Sequence, residues 1–289
     1  PEMDIEQWEN FLFKIMGGGE PKSEESDRAW RMIQFLQRAI GYTLTGSTSG
    51  QCFFFLYGTG NNGKSTFINI LSALLGDYFQ HIRIESLLQK RNDTIPNDMA
   101  KLPGARLVVA SEIPETRHLN ENLVKDLTGG DTITARFLRE EEFSFRPSFK
   151  LWMFGNEKPI VTPSDAMFRR VKLIPFTVTI PPAEQIPQEE LERKLKADLP
   201  GILAWAVEGC LIYQKEGLNP PQEVIDATNE YREEMDYLTD FFEECCQISP
   251  AAKVTKKAMF DEFCAWCQKS GHIPLGKQKF SLRLKKRFP

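Results

Sequence analysis

The stretch of residues 58–66, GTGNNGKST, constrains the possible folds of this chain more than any other. It contains the pattern G-x-x-x-x-G-K-[ST], whose glycines allow a tight turn in which backbone N–H groups point at phosphate. In such a loop Lys64 reaches the β- and γ-phosphates, and the Ser65 hydroxyl is a ligand for Mg²⁺. The sequence therefore predicts a nucleoside-triphosphate site that is formed by Gly58, Thr59, Gly60, Asn61, Asn62, Gly63, Lys64, Ser65 and Thr66.

The residues on either side of this loop support the prediction. Residues 52–57 are a short continuous apolar run, which is typical of a buried parallel strand. After the loop, apolar residues recur at helical spacing up to Gly76, which is a plausible helix stop. A strand, a loop and a helix in this order direct a helix N-terminus at phosphate. The alternative is a Gly/Asn surface turn without a ligand, but the flanking pattern favours the site.

Two later strands end in side chains that suit the chemistry of such a site. The apolar residues 107–110 lead into Ser111 and Glu112, and a strand-end carboxylate can orient the water that attacks a phosphate. Ser111 stands where a second acid is usual, and Glu115 is a candidate helper. The apolar residues 151–154 lead to Asn156, whose amide can hydrogen-bond the γ-phosphate or the water. A solvated acid is the alternative for Glu112.

A β-prone segment lies between these two strands, and a pair of arginines follows the second strand. Residues 132–138 and 143–145 are β-prone and flank the charged stretch 139–142, which predicts a hairpin. Arg169 and Arg170 precede a further strand, and they either contact phosphate or bind acidic surface loops.

Charge is distributed unevenly along the chain. Residues 248–289 contain ten Lys or Arg and two acids, a net charge of +8. Because the whole chain carries −4, the rest carries −12, and this asymmetry suggests a basic module for nucleic acid. A solvated helix face is the alternative interpretation. No stretch has the length and hydropathy of a membrane span, so no membrane partner is expected.

The six cysteines allow two interpretations. Cys264 and Cys267 form a C-x-x-C that, together with Cys245, Cys246 or His272, is compatible with zinc. However, these cysteines continue apolar stripes at helical spacing, which favours packing of free thiols in a reducing compartment.

Taken together, these motifs resemble the superfamily 3 helicases of the AAA+ class, in the phage/plasmid and poxvirus primase-helicase family. The matching stretches follow in the family's order over nearly the whole chain. They are Gly41-Tyr42, GTGNNGKST, Ala110-Ser111-Glu112, KDLTGGDTITAR at 125–136, Asn156, Arg169-Arg170 through Phe176, residues 201–206 and ATNEYREEMD at 227–236.

The resemblance implies a role for each matching residue. The loop is the Walker A motif, which binds ATP, and Glu112 closes Walker B and shares Mg²⁺ with Ser65. Asn156 is the sensor, and Arg169 is the finger that a neighbouring subunit inserts at the γ-phosphate, with Arg170 as its substitute. Lys125 reaches the neighbour's nucleotide. The hairpin lines a central pore, where it contacts single-stranded DNA through Arg136, Phe137 and Arg139.

The resemblance also implies a layout. The fold class is α/β, with an AAA+ P-loop NTPase core built on a parallel central sheet of doubly wound type. A helical collar spans 1–46, the core 47–180, a helical lid 181–235, and a winged-helix-like basic domain 236–289. We expect this last domain to be incomplete at Pro289 and to contact DNA through Lys279 and Arg283.

The expected function is ATP-driven 3′ to 5′ translocation on single-stranded DNA, with unwinding of forked duplex, in phage or plasmid replication. The resemblance implies a homo-oligomer, a ring of six, with a primase domain before Pro1 on the same chain. We expect a cytoplasmic location in a bacterial host or a virus-infected cell. Two other functions stay open at this point, an AAA+ switch or remodelling ATPase and an origin-binding initiator without processive unwinding.

Overall fold

The computed structural model describes residues 5–89, 97–112, 117–247, 253–272, 274–278, 280, 281 and 284. The chain forms two compact units, Pro1–Met235 and Asp236–Pro289. In the described residues, no helix is long and apolar enough to cross a membrane.

A parallel five-stranded sheet forms the centre of the first unit. The strands of this unit are β1 (Phe53–Tyr57), β2 (Phe79–Arg83), β3 (Leu107–Ser111), β4 (Ile133–Ala135), β5 (Phe143–Phe145), β6 (Lys150–Gly155) and β7 (Val171–Pro175). The large sheet has the order β2-β3-β6-β1-β7, and its neighbouring strands are parallel. The predicted α/β fold with a parallel central sheet is therefore confirmed.

Helices cover both faces of this sheet. They are α1 (Glu6–Ile15), α2 (Glu24–Leu44), α3 (Lys64–Leu75), α4 (Glu121–Gly129), α5 (Asp165–Phe168), α6 (Gln188–Ala197), α7 (Leu199–Glu216) and α8 (Gln222–Glu234). Side chains alternate along β1: Phe54 and Leu56 enter the core beneath α1, α2, α3 and α7, whereas Phe53 and Phe55 enter the core beneath α4 and α8. Burial on both faces explains why the strands read as continuous apolar runs.

The two N-terminal helices, predicted as a collar, pack over one face of the sheet. Trp8 of α1 is fully buried, and its ring stacks on Phe67 of α3 at 5.9 Å between centroids. The backbones of α2 and α7 touch, because a Cβ at Gly41 would lie 2.1 Å from the nitrogen of Cys210. A Cβ at Gly209 would lie 2.2 Å from the Gln37 carbonyl oxygen. Both positions therefore require glycine.

The predicted hairpin is present. Strands β4 and β5 pair antiparallel, with Ile133 opposite Phe145 and Ala135 opposite Phe143. Residues 136–142 form its exposed loop, in which Arg139 adopts a left-handed φ of 68°.

The second unit contains the helices α9 (Leu238–Cys245) and α10 (Lys256–Lys269) around an aromatic core. Cys267 is fully buried there, and burial raises the pKa of its thiol to about 11. Among the described residues, no group of three or more His, Cys, Asp or Glu side chains is placed to hold a metal. The geometry thus supports packing rather than zinc for Cys267. The predicted DNA contacts Lys279 and Arg283 lie outside the described residues.

Candidate nucleotide-binding site

The sheet brings three predicted site residues to one edge. Because β1, β3 and β6 are parallel, their carboxyl ends share an edge, which is where ligands bind in open α/β sheets. Tyr57 pairs with Gly155, so the loop that follows β1 begins beside Asn156. Ser111 pairs with Phe154, so Glu112 begins its own loop one strand further along. Strand order thus places Lys64, Glu112 and Asn156 in one region.

The phosphate loop is held in a conformation that depends on glycine. Gly60 and Gly63 have φ values of 112° and 81°, in the left-handed region that favours glycine. A Cβ at Gly58 would lie 2.3 Å from the carbonyl oxygen of Phe176. The Asn62 amide donates to that same oxygen at 3.1 Å and so fastens the loop to the end of β7. Gly63 then caps α3, whose N-terminus faces the cleft.

Lys64 is buried, and its ammonium group makes hydrogen bonds to residues of the loop and to Asn156. Its Nζ donates to the Gly58 carbonyl at 2.7 Å, to Asn62 Oδ1 at 2.8 Å and to Asn156 Oδ1 at 3.4 Å. Burial lowers the pKa of Lys64 to about 8, because the charged form loses hydration. A phosphate oxygen would restore a full counter-charge to this ammonium group.

Glu112 follows β3 with an unusual backbone. Its φ is 60°, a left-handed value that is uncommon outside glycine and that clusters at functional sites. The side chain is exposed and lines the same cleft as Ser65 and Lys64. Ser111, beside it, lies 3.2 Å from His81 Nε2 through its hydroxyl. The candidate helper Glu115 lies outside the described residues.

The residues around Glu112 fit a magnesium ion that accompanies a nucleotide. The Ser65 hydroxyl and the Glu112 carboxylate are oxygen ligands of the kind that Mg²⁺ prefers, and both line the cleft. The described residues offer no cluster of three acids or imidazoles, so they form no all-protein cage. This suits Mg²⁺, which usually keeps waters and binds through one or two protein groups plus substrate phosphates. When bound, the ion neutralises charge on the phosphates.

The cleft is lined by more residues than the sequence predicts for the nucleotide site. Its volume is about 1070 Å³, and residues 60–66, Glu112 and Asn156 form part of its lining. Gly58 contributes its carbonyl to Lys64, and Thr59 does not line the cleft. The other walls are one face of α1 and residues 180–195, which sequence reasoning missed. In the sequence, α1 shows only an amphipathic pattern, and the polar face of an amphipathic helix is normally expected to face solvent.

The predicted second-subunit residues lie apart from this cleft. Arg169 is exposed just after α5, where Lys172 Nζ donates to its carbonyl at 2.8 Å. Arg170 is buried and its Nη1 donates to the Ala166 carbonyl at 2.6 Å. Burial, with the charge of Arg169, lowers the pKa of Arg170. Lys125 pairs with Glu121 at 3.4 Å on α4. No arginine lies among the described residues that line the cleft.

The hairpin loop presents its basic and apolar residues to solvent. Arg136, Phe137, Leu138 and Arg139 are all exposed, and the Phe137 ring lies 6.1 Å from that of Phe143. The three glutamates at 140–142 are exposed as well.

The sequence matches two known families. Residues 56–170 match a family of unknown function (DUF5906), and residues 233–289 match the family described as poxvirus D5 protein-like. The first match covers the loop, the end of β1 and the whole of β3 and β6, and the second covers the second unit.

Several viral proteins are similar to this chain. One is "Putative helicase L207/L206" of Acanthamoeba polyphaga mimivirus, 31% identical over 243 residues, which cover 76% of this chain and 25% of that protein. Another is "Putative helicase 022R" of Frog virus 3, 27% identical over 81% of this chain and 26% of the relative. "Primase D5" of Fowlpox virus is 26% identical over 57% of this chain and 21% of the relative. The chain thus spans about a quarter of these relatives.

A solved structure shares the fold. The C-terminal region of NrS-1 in its apo form superposes with a TM-score of 0.57, over 80% of this chain and 52% of the other. At 15% identity this likeness concerns the fold alone.

Proposed function

Because the chain belongs to the primase-helicase family that includes the poxvirus D5 proteins, we propose that it is an ATP-driven DNA helicase. In this proposal it hydrolyses ATP with Mg²⁺, translocates 3′ to 5′ on single-stranded DNA, and unwinds forked duplex during replication. A primase domain belongs to the same protein. The observation that carries the proposal is the strand-edge site, where Lys64, Asn156 and Glu112 line one cleft.

The proposal assigns the chemistry to particular groups. Lys64 and the loop N–H groups hold the triphosphate, Ser65 holds Mg²⁺, and Glu112 orients the attacking water. Asn156 already contacts Lys64 through its amide oxygen, so it is placed to respond to the γ-phosphate. The relatives reported above come from viruses, which favours viral replication over the plasmid context.

We infer a ring from the position of the arginines. Transfer of a phosphoryl group gains much from an arginine at the developing charge, and the described lining of the cleft supplies none. Exposed Arg169 is accessible to a neighbour's cleft, whereas Arg170 is buried and its guanidinium donates to the Ala166 carbonyl of its own subunit. A head-to-tail contact that repeats this arrangement closes into a ring, and we propose six subunits. Lys125 then faces the neighbour's nucleotide.

Strand displacement tests the proposal directly. Duplexes with a 3′ or a 5′ single-stranded tail are incubated with the protein and ATP, and particle mass is measured in parallel. We expect ATP-dependent displacement of the 3′-tailed duplex from assembled rings, and none with the 5′ tail or with the Lys64→Ala variant. ATP hydrolysis that is insensitive to single-stranded DNA would instead indicate a switch ATPase. Tight binding of duplex without ATP would indicate an origin-binding protein.

The hairpin loop gives a second measurable expectation. Arg136→Ala and Arg139→Ala should each weaken binding of single-stranded DNA, because each removes one phosphate contact from the exposed loop. Each change should flatten the slope of log affinity against log salt by roughly 0.7, while ATP turnover without DNA persists. Arg193→Ala, at an exposed arginine of α6, is the matched control and should leave the slope unchanged. Unchanged slopes in both hairpin variants would place the DNA contact elsewhere.

A further inference from the structure

The cleft extends well beyond the groups that can hold phosphate. Those groups, Lys64, Ser65, Glu112 and Asn156, share a space of about 1070 Å³ with residues of α1 and of the segment 180–195. A space of this size accommodates an entire drug-sized ligand. We propose that the remainder is a nucleobase subsite that selects adenine through Asn10 and Gln7 of α1. This inference rests on the proposed nucleotide-hydrolysing function and adds the base specificity.

Helix α1 contacts the phosphate loop through its C-terminal half and lines the cleft with one face. Its last residue, Ile15, touches the loop, because a Cβ at Gly63 would lie 2.6 Å from Ile15 Cγ2. At 1.5 Å per residue, Asn10 and Gln7 lie roughly 8 Å and 12 Å further along the helix axis. Both side chains are exposed, and both line the cleft together with Lys14. The Phe11 ring also reaches Gly63, since its Cε2 lies 3.4 Å from the same Cβ, so Asn10 lies at the edge of this contact and Gln7 about one turn beyond it. Both are available to a group attached to the triphosphate.

A second wall of the cleft is a segment that we call the arm, residues 180–188. Ile180 N donates to the Asn61 carbonyl at 2.9 Å and so anchors the arm to the phosphate loop. Gln185 Nε2 donates back to the Ile180 carbonyl at 2.8 Å, which folds the arm on itself. Ile186 lines the cleft although 44% of its surface is exposed. An exposed apolar side chain in a cleft is a suitable contact for the flat face of a base.

The charges of this region are already paired. Lys14 Nζ lies 2.9 Å from Glu184 Oε2, an ion pair that joins α1 to the arm. Lys194, which also lines the cleft, pairs with Glu190 at 2.7 Å. The uncharged amides Asn10 and Gln7 are therefore the groups on α1 best suited to read a neutral base edge.

An amide discriminates between the purines by its donor and acceptor. Asn and Gln pair in bidentate fashion with the N6 donor and N7 acceptor of adenine. Guanine presents two acceptors at the same edge, O6 and N7, and these are matched by Arg or Lys instead. An amide-lined subsite with its lysines engaged in ion pairs thus favours adenine over guanine.

Binding of ATP, GTP and inorganic tripolyphosphate, each with Mg²⁺, tests the subsite. Wild-type protein should bind ATP more tightly than GTP. Asn10→Ala should weaken ATP binding about tenfold through lost hydrogen bonds and should reduce the preference over GTP, with tripolyphosphate affinity unchanged. Ile186→Ala should weaken ATP and GTP equally and spare tripolyphosphate. Gln34→Ala, an exposed amide on α2 that does not line the cleft, should change none of these affinities.

The outcomes separate this inference from the function on which it rests. Unchanged ATP affinity and base preference in Asn10→Ala, and again in Gln7→Ala, would overturn the subsite. Equal losses for ATP and tripolyphosphate would overturn it too, because they would show a structural effect on the loop. If wild-type protein bound neither ATP nor tripolyphosphate, the nucleotide function itself would be refuted. Thermal unfolding of each variant confirms that the fold is intact, and Gln7→Ala serves if Asn10→Ala unfolds.

Discussion

Replacing Arg169 with alanine is expected to reduce ATP turnover about 10³- to 10⁵-fold while ATP binding is retained. The reason is that Arg169 is exposed and does not line the cleft of its own subunit, and in the proposed ring its charge stabilises the transition state in a neighbour. Steady-state turnover and equilibrium binding of ATP measure the two halves of this expectation. Arg193→Ala, which removes an exposed arginine from α6, is the control and should keep normal turnover.

Mixing two inactive variants shows whether Arg169 acts across a subunit boundary. Lys64→Ala should be inactive through its own phosphate loop, and Arg169→Ala through the loop of its neighbour. A mixture contains interfaces at which an intact loop meets an intact arginine, so part of the turnover should return. The recovered fraction should rise with protein concentration, because only assembled subunits bring the groups together. Absence of recovery from subunits that are shown to exchange would refute the trans assignment and the main argument for a ring.

Replacing Glu112 with glutamine is expected to reduce ATP turnover about 10²- to 10⁴-fold and to leave ATP binding almost unchanged. The amide has nearly the same shape as the carboxylate, so the loop after β3 keeps its conformation, but it cannot act as a base toward water. Single-turnover hydrolysis and equilibrium ATP binding measure the effect. DNA binding in the presence of ATP should persist, because the variant stays in its ATP-bound state.

Glu85→Gln provides the matched control for this substitution. Glu85 is an exposed glutamate that follows β2 and does not line the cleft, so its change should leave turnover normal. If Glu112→Gln hydrolysed ATP at the wild-type rate, another acid would orient the water. Glu115 would then be the first residue to replace.

The local elements of the site follow from short patterns in the sequence. The apolar run before Gly58 predicts a strand that is buried on both faces, and the apolar residues at helical spacing after Lys64 predict the helix. The same reasoning predicts that Glu112 and Asn156 end strands. It also predicts the hairpin around residues 136–142, which the pairing of β4 with β5 confirms.

Tertiary structure decided what these local patterns leave open. The order β2-β3-β6-β1-β7 brings Asn156 beside Lys64 and Glu112 into the same cleft, and this order depends on how helices cross the sheet and not on any one strand. Arg169 and Arg170 have the same chemistry and adjacent positions, yet the short helix α5 leaves one exposed and buries the other. Asn10 and Gln7 look like ordinary exposed residues until α1 is docked against Gly63.

The difference between what the sequence predicts and what the tertiary structure decides has one physical cause. A loop pattern such as GTGNNGKST encodes its own conformation, since its glycines and its lysine act within nine consecutive residues. A wall of the cleft instead needs residues separated by more than 100 positions, such as Lys14 and Glu184, to meet. Such contacts form only when apolar burial brings the helices onto the sheet. A local sequence pattern does not indicate which distant residue each side chain will contact. The sequence by itself therefore determined the phosphate loop and the ends of its strands, and the tertiary structure decided the rest of the cleft.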